Sequence, residues 1–159
     1  MIYVIQTRPK TELDVLYRIE RLGYTAYVPR EEKQIRKHGK WHSQINFIFS
    51  GYIFIETDEI TPKIFHELKK IDGFIKVLGS PSPLSPTESE QIKWLCNGGK
   101  IITPSHYIIN EYGKIKFSDG AVMNLQHLII SYNPRQKRAK LRLTVNGKSF
   151  NVTLPIEKI

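Results

Sequence analysis

Between Arg30 and His42 the chain places five cations, Arg30, Lys33, Arg36, Lys37 and Lys40, together with His38, Trp41 and His42, against only Glu31 and Glu32. This mixture suits nucleic acid. Lys and Arg neutralise phosphates, while guanidinium, imidazole and indole rings also stack on unpaired bases. The same composition describes a solvated basic loop between strands, so alone it names no partner. Lys10, Arg18 and Arg21, on or beside a helix expected near the start of the chain, form a second cationic set. A third runs from Arg135 to Arg142. It reads either as extra phosphate affinity or as the edge of a sheet kept from pairing by its charges.

Catalytic chemistry has few candidates. The sequence holds no Gly-rich phosphate loop and no nucleophile beside an evident base. His38 and His42 would share a helix face, but Gly39 between them disfavours a helix. The single cysteine, Cys96, excludes an intramolecular disulfide and a Cys-cluster zinc site, and its place on the apolar side of an expected helix makes it a packing residue. No enzyme, metal or cofactor is therefore expected.

These residues sit in a chain of 159 with a net charge of +9, 40% hydrophobic and 11% aromatic, a composition that supports a packed core and excludes a disordered chain. The longest apolar runs, Met1 to Ile5 and Tyr52 to Ile55, are far shorter than the roughly 18 residues a spanning helix needs, and no secretion signal precedes them. A cytoplasmic, membrane-free protein is expected. The charge is uneven. Up to Asn97 there are 14 basic and 12 acidic residues, a net +2, and after it 10 and 3, a net +7, with no acidic residue from Gly120 to Ile156. The pair Gly98-Gly99 after a helical pattern marks a stop and a connection, so Lys100 to His106 reads as a linker.

The elements that position the candidates follow from periodicity. Ile2 to Thr7 is a buried strand. Thr11 with Asp14 resembles a capping box, opening a helix from about Glu12 to Leu22 that Gly23 ends. Tyr24 to Val28 is a short strand stopped by Pro29, and the basic stretch then runs to a turn at His38-Gly39. Ile45 to Ile55 reads as one long strand. Thr61-Pro62 caps a helix over Lys63 to Lys70, Gly73 to Leu78 is a strand, and Ser85-Pro86-Thr87-Glu88 is a second capping box. This order is the split β-α-β arrangement of a ferredoxin-like α/β sandwich. Beyond the linker only short strands are expected, at Lys114 to Phe117, His127 to Tyr132, Ala139 to Val145 and Lys148 to Leu154. Asn146-Gly147 is a type I′ hairpin turn, and barrel closure is the economical way to remove the edges.

Ile2-Tyr3-Val4-Ile5-Gln6-Thr7 before a helix, Phe49-Ser50-Gly51-Tyr52-Ile53-Phe54-Ile55 in a central strand, Gly73-Phe74-Ile75 followed by Leu84-Ser85-Pro86-Thr87-Glu88, and a terminal barrel together resemble the NusG-type transcription elongation factors. The resemblance spans nearly the whole chain. It implies an α+β protein: an N-terminal NusG domain over residues 1–98, a linker at 99–106, and an SH3-like KOW barrel over 107–159. It also implies a monomer without catalytic residues that binds the RNA polymerase clamp and alters pausing or termination. Carried over by residue, Phe49 and Tyr52, with Ile2 where members often have Trp, are the polymerase-docking candidates; read without the family, either ring is equally a core residue.

Two departures, Ser50 where the family commonly has proline and no further glycine from Ala121 to His127 after Asp119-Gly120, together with the basic bias, make the chain resemble a specialised paralogue of the LoaP or RfaH groups. That resemblance implies a nucleic-acid signal, an RNA hairpin first and DNA second. Arg30, Lys33, Arg36, Lys37, His38, Lys40 and Trp41 are its first candidates, and Lys10, Arg18 and Arg21 its second. A ribosomal protein is a further candidate partner for the barrel. The expectation is a processive antitermination factor; a general NusG factor and a KOW-type RNA-binding, ribosome-associated protein are the alternatives.

Overall fold

A computed structural model describes residues 1–79 and 81–159. In chain order its elements are β1 (Ile2–Thr7), α1 (Glu12–Arg21), β2 (Thr25–Tyr27), β3 (Arg30–Lys37), β4 (Lys40–Phe47), β5 (Tyr52–Glu56), α2 (Pro62–Lys69), β6 (Phe74–Val77), α3 (Pro86–Cys96), β7 (Ser105–Ile109), β8 (Ile115–Phe117), α4 (Ala121–Asn124), β9 (Ile129–Asn133), β10 (Arg138–Val145) and β11 (Lys148–Lys158). The chain divides into two compact units. One comprises Met1–Val28, Phe49–Ile92 and Val145–Lys148; the other comprises Pro29–Ile48, Lys93–Thr144 and Ser149–Ile159.

The first unit is built on an antiparallel sheet of order β2-β5-β1-β6. Its two central strands are apolar on both faces because both are covered: Ile2, Val4 and Ile5 of β1 and Ile53, Phe54 and Ile55 of β5 are buried. Val15 and Ile19 of α1 and Ile64 and Leu68 of α2 are the buried stripes that the 3.6-residue period selects. α2 starts as its sequence indicates, with Pro62 in the first turn and the Ile64 N–H donating to Thr61 Oγ1 at 3.2 Å. The reciprocal box at α3 also forms, the Glu88 N–H reaching Ser85 Oγ and the Ser85 N–H reaching Glu88 Oε1, both at 3.1 Å.

Two expectations fail in this unit, both beside the start of α1. The Thr11–Asp14 box does not form, since Thr11 Oγ1 donates to the Arg8 carbonyl at 2.6 Å and makes no cap bond. The expected strand over Ile45 to Ile55 is broken between Phe47 and Tyr52 by a turn. The fully buried Glu12, the first residue of α1, accepts the Gly51 N–H at 2.9 Å, and the Gly51 carbonyl accepts from the Thr7 N–H at 2.8 Å. Gly51 holds φ at 83°, which a residue with a Cβ adopts only under strain.

In the second unit β3 and β4 form a two-stranded antiparallel ribbon, in register from Arg30 opposite Phe47 to Lys37 opposite Lys40. The two-residue loop His38-Gly39 has φ of 54° and 75°, the positive pair a type I′ turn requires. Ile102 exchanges backbone bonds with the ribbon: its N–H reaches the Arg30 carbonyl at 2.9 Å, and its carbonyl accepts from the Glu32 N–H at 2.8 Å. It is buried, so this part of the expected linker is fixed to β3.

The same unit contains most of a five-stranded sheet of order β8-β7-β11-β10-β9, with β11 parallel to β7. β10 alternates cleanly, burying Leu141 and Leu143 while Lys140 and Arg142 point outward. The sheet curls: the Phe117 ring on β8 stacks on Tyr132 of β9, at the opposite edge, with centroids 6.2 Å apart. The sequence pattern predicts strands alone here, but a short helix, α4, and a 3-10 turn at Gln126–Leu128 precede β9, which begins at Ile129 rather than His127. Val122 and Leu125 are buried in this segment, and the Val122 N–H is anchored on Ser105 Oγ at 3.1 Å.

Candidate nucleic-acid interface

The β3–β4 ribbon carries the first-choice cations as a cross-strand ladder. Opposite partners include Arg36 with Trp41, Lys37 with Lys40 and Lys33 with Gln44. Arg36, Lys37, His38, Lys40 and Trp41 are exposed towards the turn, while Arg30 and Lys33 are half-buried along β3. Such a ribbon is held by few apolar contacts of its own, so its base has to be tied down.

The tie is a buried ion pair. Glu31 on β3 and Arg138 at the start of β10 are 107 positions apart, yet Arg138 Nη2 donates to Glu31 Oε1. The same nitrogen reaches the Thr153 carbonyl at 2.8 Å and Thr153 Oγ1 at 2.7 Å, both on β11. Burial pushes the Glu31 carboxyl above its ordinary 4.5, and Arg138 pulls it back only in part. The pair serves as a bolt between ribbon and curled sheet rather than as a titrating catalyst.

Above this bolt lies a cleft of about 770 Å³. Lys33, Arg36 and Trp41 line it from the ribbon; Arg135, Arg138 and Lys140 line it from the β9–β10 turn and β10. The first and third cationic sets of the sequence therefore share one concavity. Trp41 is 37% exposed, with Lys137 Nζ 4.5 Å and Arg36 Cζ 5.9 Å from its ring centroid, both within cation–π range. Arg36, Arg135 and Lys140 make no ion pair among the described residues, so their charge is available to an anion.

Lys10, with φ of 73°, and Arg18 and Arg21 on α1 are exposed and belong to the first unit. Arg21 lies 5.7 Å from the Tyr17 ring centroid. Of the three docking candidates, two are core residues here. Ile2 is 2% exposed and Phe49 4%, the latter packed edge-on against Phe54 with centroids 5.5 Å apart. The physical reason is that the Gly51 turn folds Phe49 inward and that β1 is a central strand. Tyr52 is half-buried and alone of the three presents surface.

The sequence offers Arg135 to Arg142 as a source of phosphate affinity, but it does not show the pairing of Arg138 with Glu31 or the cleft that Arg135 and Lys140 share with the ribbon. The acid-free run from Gly120 to Ile156 signalled the cations, but nothing local shows that Glu31 would fold onto them. No cluster of His, Cys, Asp and Glu able to hold a metal occurs among the described residues, and no helix there is long and apolar enough to cross a membrane.

A family model described as "Transcription termination factor nusG" matches residues 2–93. No curated protein matches the chain.

Proposed function

Since the chain belongs to the NusG family, whose members are non-catalytic transcription factors that bind RNA polymerase, we propose that it is a processive antitermination factor that reads a nucleic-acid signal. That signal is an RNA hairpin, recognised through Arg30, Lys33, Arg36, Lys37, His38, Lys40 and Trp41. The observation that carries this reading is the cation ladder around an exposed Trp41 on a ribbon bolted to the curled sheet. Cations supply affinity that falls with salt, and the ring supplies a stacking face for an unpaired base.

We read the first sheet as a ferredoxin-like sandwich and the second as an SH3-like KOW barrel. Support comes from the order β2-β5-β1-β6 and from the curl that brings Phe117 onto Tyr132. On this reading Tyr52 contributes to the polymerase clamp contact, while Ile2 and Phe49 shape the surface from beneath. Antitermination then follows from preferential binding of the elongating over the paused polymerase, a differential affinity that needs no chemistry. Specialisation towards the LoaP or RfaH groups is supported by the basic ribbon.

The test compares hairpin RNA, single-stranded RNA and duplex DNA in gel shifts at one salt concentration, with polymerase retention on immobilised protein as a parallel readout. Tightest binding of the hairpin, with polymerase retained, is expected. Equal affinity for all three nucleic acids would remove the RNA signal, and loss of polymerase retention would remove the transcriptional role.

A further inference from the structure

We propose that the cleft between the β3–β4 ribbon and the β9–β10 turn is a subsite for one unpaired nucleotide of the bound RNA, its base on Trp41 and its flanking phosphates on cations from both sides. This deepens the RNA-binding reading above and rests on it.

Four features argue for an extruded nucleotide rather than for duplex alone. The volume, about 770 Å³, falls within the range of preformed small-ligand sites. A flat basic face would suffice for a duplex backbone, whereas this is a concavity with an aromatic wall. Trp41 is the aromatic residue of that lining, and its ring is already engaged by Lys137 and Arg36, two flexible cations that a stacked base can displace towards the adjoining phosphates. Amide side chains, Gln34 and Asn133, also line the cleft and offer donors and acceptors of the kind that read base edges.

The floor is pre-organised. Arg138 is over nine-tenths buried and fixed by Glu31 and Thr153, and its Nη1 has no hydrogen-bond partner. Its planar fork therefore keeps the two walls at a set spacing before ligand arrives, so little ordering is required on binding. Arg138 is a positioning residue; Trp41, Arg36, Arg135 and Lys140 make the contacts.

The experiment uses the full chain carrying Trp94→Phe, which leaves Trp41 as the sole tryptophan. Its fluorescence is followed during titration with three probes: an RNA hairpin with a uridine loop, the same stem as a blunt duplex, and inorganic polyphosphate. The loop RNA should quench Trp41, while duplex and polyphosphate should not. Gel shifts in the same background measure affinity. Arg135→Glu with Lys140→Glu should weaken loop-RNA binding about tenfold, Trp41→Ala by a similar factor, and Trp41→Phe much less, because it keeps a ring. Circular dichroism confirms that each variant is folded.

Equal quenching by polyphosphate would overturn the base-stacking assignment. Loop-RNA affinity unchanged in both Trp41→Ala and the Arg135/Lys140 variant would overturn the subsite while leaving RNA binding by the ribbon intact. Failure of the unmodified chain to bind any RNA would overturn both.

Discussion

The two units treat their functional candidates in opposite ways. In the first, Ile2 and Phe49 are apolar and were absorbed into the core; in the second, Lys33, Arg36 and Trp41 stayed at the surface. The cause is the free energy of burial. An apolar side chain that could dock on a partner gains as much from its own core, so its type does not reveal which it does. A cation loses its hydration if buried without a partner, so it stays in water or, like Arg138, recruits a carboxylate. Charged candidates can therefore be located from sequence more safely than apolar ones.

This contrast is most sharply tested at Phe49. Truncation to alanine should cost about 3–5 kcal/mol in urea unfolding, because it opens a cavity against Phe54. A variant of near-native stability that has lost polymerase binding would instead restore Phe49 as a surface residue.

The exception in the second unit gives the next effect. Arg138→Met leaves Glu31 buried without its counter-charge and should destabilise by about 3–5 kcal/mol, while adding Glu31→Leu should recover most of the loss. Additive damage in the double variant would show that the two side chains do not act as a pair.

Ser85→Ala, which removes one half of the box at α3, should cost about 1 kcal/mol by the same measurement. Thr11→Ala should not show the corresponding loss of a cap, because its hydroxyl is turned to Arg8.

A smaller effect is expected with pH. The Glu31 carboxyl is raised above 4.5 in the folded chain, so between that value and its folded pKa the native state holds a proton that the unfolded chain has released. Its contribution therefore falls as pH rises through that window and grows as pH is lowered through it. The urea midpoint of the native chain, compared with that of Glu31→Gln as pH is lowered from 7 to 4.5, should rise relative to the variant; a parallel course down to 4.5 would contradict the raised carboxyl.

Most local signals were legible, the exception being the Thr11–Asp14 box, whose hydroxyl went to the nearby Arg8 carbonyl. Thr61-Pro62, the Ser85–Glu88 box and the turn at His38-Gly39 need only neighbouring residues, and each formed where the sequence placed it. Asn146-Gly147, with φ of 54° and 81°, belongs with them. The other features that escaped depend on distant partners. The strand break at Gly51 needs the Glu12 carboxylate, α4 needs the Ser105 anchor, and the cleft needs Glu31 to meet Arg138 across 107 positions. The cation ladder was visible as composition, but its shared concavity with Arg135 and Lys140 was not.

The central claim is that the ribbon binds RNA, and one measurement reaches it most directly: the salt dependence of hairpin-RNA affinity for the native chain and for Lys33→Glu, Arg36→Glu and Lys37→Glu together. The account predicts an unfolding free energy within about 0.5 kcal/mol of the native chain per substitution and a large fall in affinity. It also predicts a shallower slope of log affinity against log salt, by about 0.7 to 0.9 for each phosphate that the variant no longer neutralises. An unchanged slope with unchanged affinity in the folded triple variant would contradict it.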